Sequence, residues 1–537
     1  MRNPTIVSLL LCFVAAFPAA ARAAEEGAAR TGPPAPIERL DAHVEAVRQR
    51  FQVPGIAVAV VKDGEPVLVR GYGVREVGKP DAVDGDTLFA IASITKGFTS
   101  AALSILADEG KLSHDDRVID HLPWFRMSDA YVTREMRIRD LLVHRSGLGL
   151  GAGDLLFWPA TRYDTREVVE RLAHVPISGG FRERYAYDNV LYAVAQLVIE
   201  EVSGQSYADF VRTRIFAPVG MDGARINSDH LRPGDKVATG HARPGFEGAP
   251  VPVERMSWSN NSAAGGIYAS AADMAKWMQV QLAGGALPGG DDAQRLFSEK
   301  RQREMWSLVT PIPIRAPKVA ALAPATPNFA GYGEAWNVSD YRGRRLVWHT
   351  GGWPGMVSRL TLVPELGLGV VVLTSQETSA AFNAVTMQVL DAYLGAPATD
   401  WIAAYDAAAA TSAGDADADW RRHRAARDAG SKPSLPLSGY ADTYRDAWYG
   451  EVSLSAEGRG LVLRFSKTPQ LVGDLEHWQH NTFIVRWRER TLNADAFLTF
   501  SLDADGQVQE ARMEAVSPMT DFSFDFHDLR LLPVEQD

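Results

Sequence analysis

Cysteine is all but missing. The single one, Cys12, falls inside an N-terminal apolar stretch, so the rest of the chain has no disulfide, no thiol nucleophile and no cysteine-based metal site. Lysine is scarce beside arginine, so a lysine kept in an apolar setting stands out. Positive charge is in deficit. The net charge of −11 and isoelectric point of about 5.6 disfavour nucleic acid and anionic membrane as partners. Beyond the N-terminus no apolar run reaches the length of a membrane span. With 46% apolar and 23% charged residues, the composition is that of a globular protein. A length of 537 residues exceeds one ordinary domain, so two or three are expected.

The N-terminus has the pattern of a secretory signal. Arg2 supplies the positive start, Ile6 to Ala16 the apolar core, and Ala21-Arg22-Ala23 the small-x-small cleavage site. Leu11 precedes Cys12 where a lipidation site wants a small residue. Residues 1–23 are therefore expected to be a signal peptide, 24–35 a disordered Ala/Pro/Gly-rich segment, and the mature chain periplasmic or secreted with no integral membrane span.

The chemistry starts at Ser93-Ile94-Thr95-Lys96. It follows a predicted strand, Thr87 to Ile91, and opens a helix whose apolar positions (Ile94, Phe98, Ala101, Ala102, Ile105, Leu106) share one face. The same spacing stacks Ser93 over Lys96. A serine hydroxyl is too weak an acid to attack a carbonyl at neutral pH unless a neighbouring amine takes its proton. The helix dipole and partial burial both lower a lysine pKa toward that task. By itself the motif is weak, since most such lysines lie on solvated faces. This is the only S-x-x-K in the chain, and its flanks are apolar where a surface helix would be charged.

Two other stretches fit it. Tyr187-Asp188-Asn189 opens a helix with Val190, Leu191, Val194, Leu197 and Val198 on its apolar side and Gly204 just past its end. A phenol there relays a proton and the Asn189 amide holds a substrate amide or the lysine. The plain alternative is a core tyrosine and a helix-capping asparagine. His349-Thr350-Gly351-Gly352 closes a predicted strand, and its small residues leave room for an extended substrate. Backbone N–H groups of Ser93 and Gly352 would then form an oxyanion hole; the plain alternative is a Gly-Gly turn. His144 is read as tying down a loop. Ala263 to Met274 is read as a Gly-rich packing turn, fed by no strand, before a Ser-capped helix. His477 and His480 lack a third ligand nearby, so no metal is expected.

Elsewhere, Gly55–Val61 and Pro66–Arg70 flank an Asp63-Gly64 hairpin turn. Strands at 345–350, 356–362 and 369–374 form an antiparallel meander, with turns at 351–355 and 364–367. Residues 398–434 are Ala-, Asp- and Arg-rich, a linker with some helix. From Leu435 on, short alternating segments with turns such as Glu457-Gly458 and Asp505-Gly506 predict a small antiparallel barrel or sandwich.

Taken together, Ser93-Ile94-Thr95-Lys96, Tyr187-Asp188-Asn189 and His349-Thr350-Gly351 resemble the serine β-lactamase and penicillin-binding-protein superfamily, in its class C-like branch with D-aminopeptidases and D-alanyl carboxypeptidases. Leu142 to Leu148 and Ala264-Gly265-Gly266 are similar as well. The resemblance implies an α+β fold, an antiparallel sheet flanked by helices beside a mostly helical subdomain, over 36–397, and a lipocalin-like barrel over 435–537. It implies Ser93 as the acylated nucleophile, Lys96 as its base, Tyr187 in proton transfer and Asn189 orienting substrate. It further implies the N–H pair of Ser93 and Gly352 around the oxyanion, and no cofactor. One departure is His349, where β-lactamases and most penicillin-binding proteins carry a lysine that attracts the substrate carboxylate; a histidine is mostly neutral there. This favours a peptidase, amidase or esterase on small amides, D-amino-acid peptides or esters, with β-lactam hydrolysis and a non-catalytic scaffold or cell-wall-binding role as alternatives. Trp336 and Trp353 are candidate pocket walls, with core packing an equal reading for Trp336.

Overall fold

The computed structural model describes residues 39–289 and 294–534. The expected signal peptide, the segment 24–35 and Cys12 lie outside the described residues.

The larger unit is built on an eight-stranded antiparallel sheet. Its strands run in the order Glu65–Gly73, Gly55–Lys62, Leu368–Thr374, Met356–Val363, Arg344–Trp353, Asn337–Tyr341, Ala330–Tyr332, Thr310–Pro311. The hairpin turns at Asp63 and Gly64, both with positive φ, as an Asp-Gly turn requires. The strand Gly55–Lys62 reads as one apolar run because both faces of the sheet are covered. Ile56, Val58 and Val60 enter a core with Val44, Val47 and Phe51 of the Leu40–Phe51 helix and Ala381, Val385 and Leu390 of the Ser379–Leu394 helix. Ala57, Ala59 and Val61 enter the opposite core with Phe98, Leu106, Met274 and Met278. The helices Thr95–Asp108, Val190–Ser203 and Ala271–Leu282 build that second side.

Three local expectations need correction. The predicted strand Thr87 to Ile91 shrinks to Phe89–Ala90, which pairs with Tyr268 and Ala269. The Gly-rich stretch is fed by a strand after all. Ile267–Ala269 is the middle of a three-stranded sheet and leads into the Ala271–Leu282 helix, capped by Ser270 and Asp273. Arg344–Trp353 continues through the glycines expected to turn, because Gly351 and Gly352 stay paired with Ser358 and Val357. The turn narrows to Pro354-Gly355.

The expected linker contains a 26-residue helix, Trp401–Ala426. Its buried Trp401 donates to Asp391 Oδ2 at 2.8 Å in the first unit. Near its other end Trp420 packs on Trp478 with ring centroids 5.2 Å apart, so the helix bridges the two units.

The last unit is a nearly closed barrel of eight antiparallel strands. Seven run in sequence order from Asp442–Asp446 to Val508–Ala515; Leu532–Pro533 pairs with the first, and an Ala511–Leu531 bridge brings the ends together. Alternate residues point inward, and Tyr440, Phe465, Phe483, Trp487, Phe500 and Phe526 fill the interior. The barrel is docked on the first unit. Arg171 donates to the Trp448 carbonyl at 2.9 Å, and Asn493 to that of Arg243 at 3.0 Å. Among the described residues no helix is long and apolar enough to cross a membrane, and no group of three or more His, Cys, Asp or Glu could hold a metal ion. His477 Nε2 instead faces the His480 carbonyl at 3.0 Å.

Candidate active site

Ser93 is set in place by a sharp bend. Ile91 N–H donates to the Ile267 carbonyl at 2.9 Å, and the next residue, Ala92, has φ 47°. A residue with a Cβ holds that left-handed conformation at a cost of roughly 1–2 kcal/mol. The bend carries Ser93 off the strand into a short 3₁₀ turn, Ala92–Ile94, that merges with the Thr95–Asp108 helix.

Ser93 and Lys96 then sit one turn apart, with Nζ 3.0 Å from Oγ. Lys96 is completely buried. It also donates to Asn189 Oδ1 at 2.8 Å and to the Ala264 carbonyl at 3.0 Å. Its Nζ lies 5.0 Å from the ring centre of Tyr187 and 4.9 Å from that of Tyr192. Burial pulls its pKa down to about 7, while Asp154 and Asp188 pull the other way. Near neutral pH a large share of the side chain is therefore free amine, whose lone pair can accept the Ser93 proton. The Ala264 carbonyl is thus a hydrogen-bond partner of the lysine, in the Gly-rich stretch whose sequence reads as packing and which also shares in the resemblance.

Asn189 does not cap its helix. Its oxygen accepts from Lys96, and its nitrogen donates to Asp154 Oδ2 at 2.7 Å. Tyr187 is partly buried. Burial pushes its phenol well above the ordinary value, and the neighbouring Ser93 hydroxyl pulls it back. His144 holds this segment from behind. It is fully buried, its Nδ1 accepts from the Asp188 N–H at 3.2 Å and its carbonyl accepts from Ala186 N–H at 3.0 Å.

His349 is buried as well, and burial pulls its pKa down to about 3, helped by the Lys96 charge. A single neutral tautomer satisfies both contacts. Nδ1–H donates to the Thr350 carbonyl at 2.6 Å, and Nε2 accepts from the Tyr332 hydroxyl at 2.7 Å. Gly351 must be glycine, because a Cβ there would lie 2.2 Å from the Ile91 carbonyl and 2.5 Å from Ser358 Oγ. Its smallness seats the strand against the bend that carries Ser93. Gly352 differs: it is exposed, and a Cβ would point into open space. The neighbouring strand Asn337–Tyr341 pairs only as far as Trp348, so residues 349–353 present a free edge on the Ser93 side.

Ser93, Tyr187, Asn189, His349, Thr350 and Gly352 share one cavity of about 360 Å³. Its remaining walls were not foreseen. Trp158, Tyr185, Trp258 and Trp348 come from the first unit, and Asp521 to Ser523 from the barrel. Trp336 is core, packed where Gly97 has no side chain and 6.5 Å from the Trp306 ring. Trp353 stands edge-on to Trp258 at 4.8 Å and faces a neighbouring cavity of about 290 Å³. That second cavity shares Trp158, Gly352 and Asp521 with the first and carries Glu254, Glu377 and Glu489. No lysine or arginine is among the described residues lining either one.

Residues 40–394 match the family model described as Beta-lactamase, and 426–533 match one described as a domain of unknown function, DUF3471. An unguisins hydrolase of Aspergillus campestris is 31% identical over 374 residues, 65% of this chain and 64% of its own length. This chain therefore spans under two thirds of that relative. Penicillin-binding protein 4 of Amycolatopsis lactamdurans is 29% identical over 361 residues, 64% of this chain and 86% of its own. Among solved structures, the octameric penicillin-binding protein homologue from Pyrococcus abyssi superposes with a TM-score of 0.57 at 20% identity, covering 92% of this chain and 99% of its own.

Proposed function

The chain belongs to the β-lactamase family, and from that premise we propose that it is a serine hydrolase forming an acyl-enzyme on Ser93. Its substrates in this reading are small amides, D-amino-acid peptides or esters without a carboxylate beside the scissile bond. The observation that carries the reading is the buried Lys96 amine, 3.0 Å from Ser93 Oγ and uncharged for much of the time near neutral pH. In the first step Lys96 takes the hydroxyl proton as Oγ attacks the carbonyl. The N–H groups of Ser93 and Gly352 receive the developing oxyanion. Tyr187 passes the proton on to the leaving group, and Asn189 keeps the lysine in register. Water then reverses the sequence and releases the acid.

The substrate class rests on charge. His349 stays neutral, and the two cavities carry carboxylates with no lysine or arginine among their described lining. A substrate carboxylate would enter without a partner, which speaks against efficient β-lactam hydrolysis. The hydrolase relative at 31% identity supports the enzymatic reading over a scaffold. Export is part of the proposal, supported by the signal pattern of residues 1–23. So is the division into a hydrolase unit at 36–397, a connector at 398–434 and a barrel at 435–537.

The test is a panel of p-nitrophenyl esters, D-amino-acid anilides and nitrocefin, with a fluorophosphonate probe to label the nucleophile. Ester or anilide turnover that vanishes with label in Ser93→Ala is the expected result. Full labelling of that variant, or a nitrocefin rate far above the rest, would overturn it.

A further inference from the structure

The barrel meets the hydrolase unit inside the cleft. Its Asp521–Asp525 segment lies against the loop from Gly149 to Leu156. Gly151, at φ 70°, packs so closely that a Cβ there would lie 2.6 Å from the Phe522 carbonyl oxygen. Asp525, fully buried, accepts from the backbone N–H of Gly153 at 2.7 Å and of Leu155 at 3.2 Å. Between these anchors sits Asp154, also fully buried. Its Oδ2 takes two donors, the Ser523 hydroxyl at 2.8 Å and the Asn189 Nδ2 at 2.7 Å. Asn189 Oδ1 in turn accepts from Lys96, which reaches Ser93. An unbroken line of hydrogen bonds thus runs from a barrel hydroxyl to the nucleophile.

We propose that Asp154 is a positioning residue for the Ser93–Lys96 pair, held in place by Ser523 and Asp525 of the barrel, so that the reactive centre is complete only with the barrel docked. The physical reason is the two-sidedness of an amide. The Asn189 side chain can present either its oxygen or its NH₂ to Lys96, and only the oxygen can accept from that nitrogen. An acceptor on the far side selects that orientation, because it can bind only the NH₂ end. Asp154 Oδ2 is this acceptor, taking both the Asn189 NH₂ and the Ser523 hydroxyl. Burial raises its carboxyl to about 8, and because Oδ2 already accepts twice, a proton bound there sits on Oδ1 and leaves the selection intact. Ser523 fixes the carboxyl's rotation and Asp525 fixes the backbone on either side of it. Without them the amide is free to turn, and Lys96 loses one of the two acceptors, Asn189 Oδ1 and the Ala264 carbonyl, that hold it over Ser93.

This inference rests on the acyl-enzyme reading above, and one experiment separates the two. In the full-length chain, the rate of fluorophosphonate labelling at Ser93 is compared with kcat and KM for the best ester of the panel. Ser523→Ala should slow labelling and kcat by about tenfold with a smaller change in KM, since loss of a buried hydrogen bond loosens the pair while the serine forms only a small part of the cavity wall. Ser523→Thr, which keeps the hydroxyl, should return both to within about twofold of wild type. Asp154→Asn keeps an acceptor for Asn189 and should lose less than Asp154→Ala. Wild-type rates in Ser523→Ala, a loss confined to KM, or equal losses in the Ala and Thr variants would each overturn the proposal while leaving the acyl-enzyme standing. A wild-type chain that takes no label at Ser93 would overturn both. If Asp154→Ala does not fold, the Ser523 pair decides alone.

Discussion

The two sides of the Ser93 cleft are made differently. On the hydrolase side, the candidate groups are neighbours in sequence: Ser93 and Lys96 one helical turn apart, Tyr187 and Asn189 two residues apart just ahead of the Val190–Ser203 helix, Gly351 and Gly352 adjacent on one strand. On the barrel side, Phe522, Ser523 and Asp525 arrive from more than 300 residues away in sequence and contribute a wall and a brace. The first side is local geometry and tolerates little change. The second is tertiary docking and tolerates more. The hierarchy of expected losses follows from that difference.

The largest effect belongs to the local side. Ser93→Ala or Lys96→Ala should cut turnover by about 10⁴-fold or more, as removal of a nucleophile or its base does in other serine hydrolases. A residual rate within about tenfold of wild type in either, measured on the best ester, would dissolve the contrast. Gly351→Ala comes next. The added methyl collides with the Ile91 carbonyl, so the strand and the nucleophile's bend must part, with a loss of about 10² in kcat/KM and a lower Tm. On the barrel side, Trp487→Ala opens a hole in an aromatic interior and should destabilise the barrel by about 3–5 kcal/mol. If the docking argument holds, ester hydrolysis and the barrel's fluorescence signal fall in the same thermal transition. Separate transitions, with activity surviving the first, would show that the hydrolase unit works alone. The smallest effect is Phe522→Ala. This ring stands edge-on to Tyr187 at 5.8 Å and is 40% exposed. Its loss should raise KM for aryl esters about fivefold and leave kcat alone.

The same contrast explains what could be read before any coordinates. The sheet, the hairpin at Asp63-Gly64 and the Ser93, Tyr187 and His349 stretches were legible because each is a short-range pattern: a period of two or 3.6, a turn residue, a pair one helical turn apart. Lys96 was also legible in its environment, since its apolar flanks implied the burial that lowers its pKa. Asp154 and Ser523 were not. Their partners lie 35 and 369 residues away, and no local period records such a meeting. A weak signal did exist, because Asp521-Phe522-Ser523-Phe524-Asp525 alternates acidic and aromatic residues outside any strand. Trp336 stayed open between wall and core for a different reason. A tryptophan near a predicted site is as good a core residue as a wall, and only the gap left by Gly97 decides it. The Trp401–Ala426 helix was read as a linker because its middle turns are Ala- and Asp-rich and exposed. It holds the units at its two ends, where Trp401 and Trp420 sit.

The central claim is that one buried amine activates one hydroxyl, and the pH dependence of Ser93 labelling by a fluorophosphonate tests it most directly. Only the uncharged form of Lys96 can accept the proton, so the rate must rise with pH and level off. The account predicts a single acid limb with its midpoint at about 7. A limb near 10.5, the ordinary value for a lysine, or a rate that does not change across neutral pH, would contradict it.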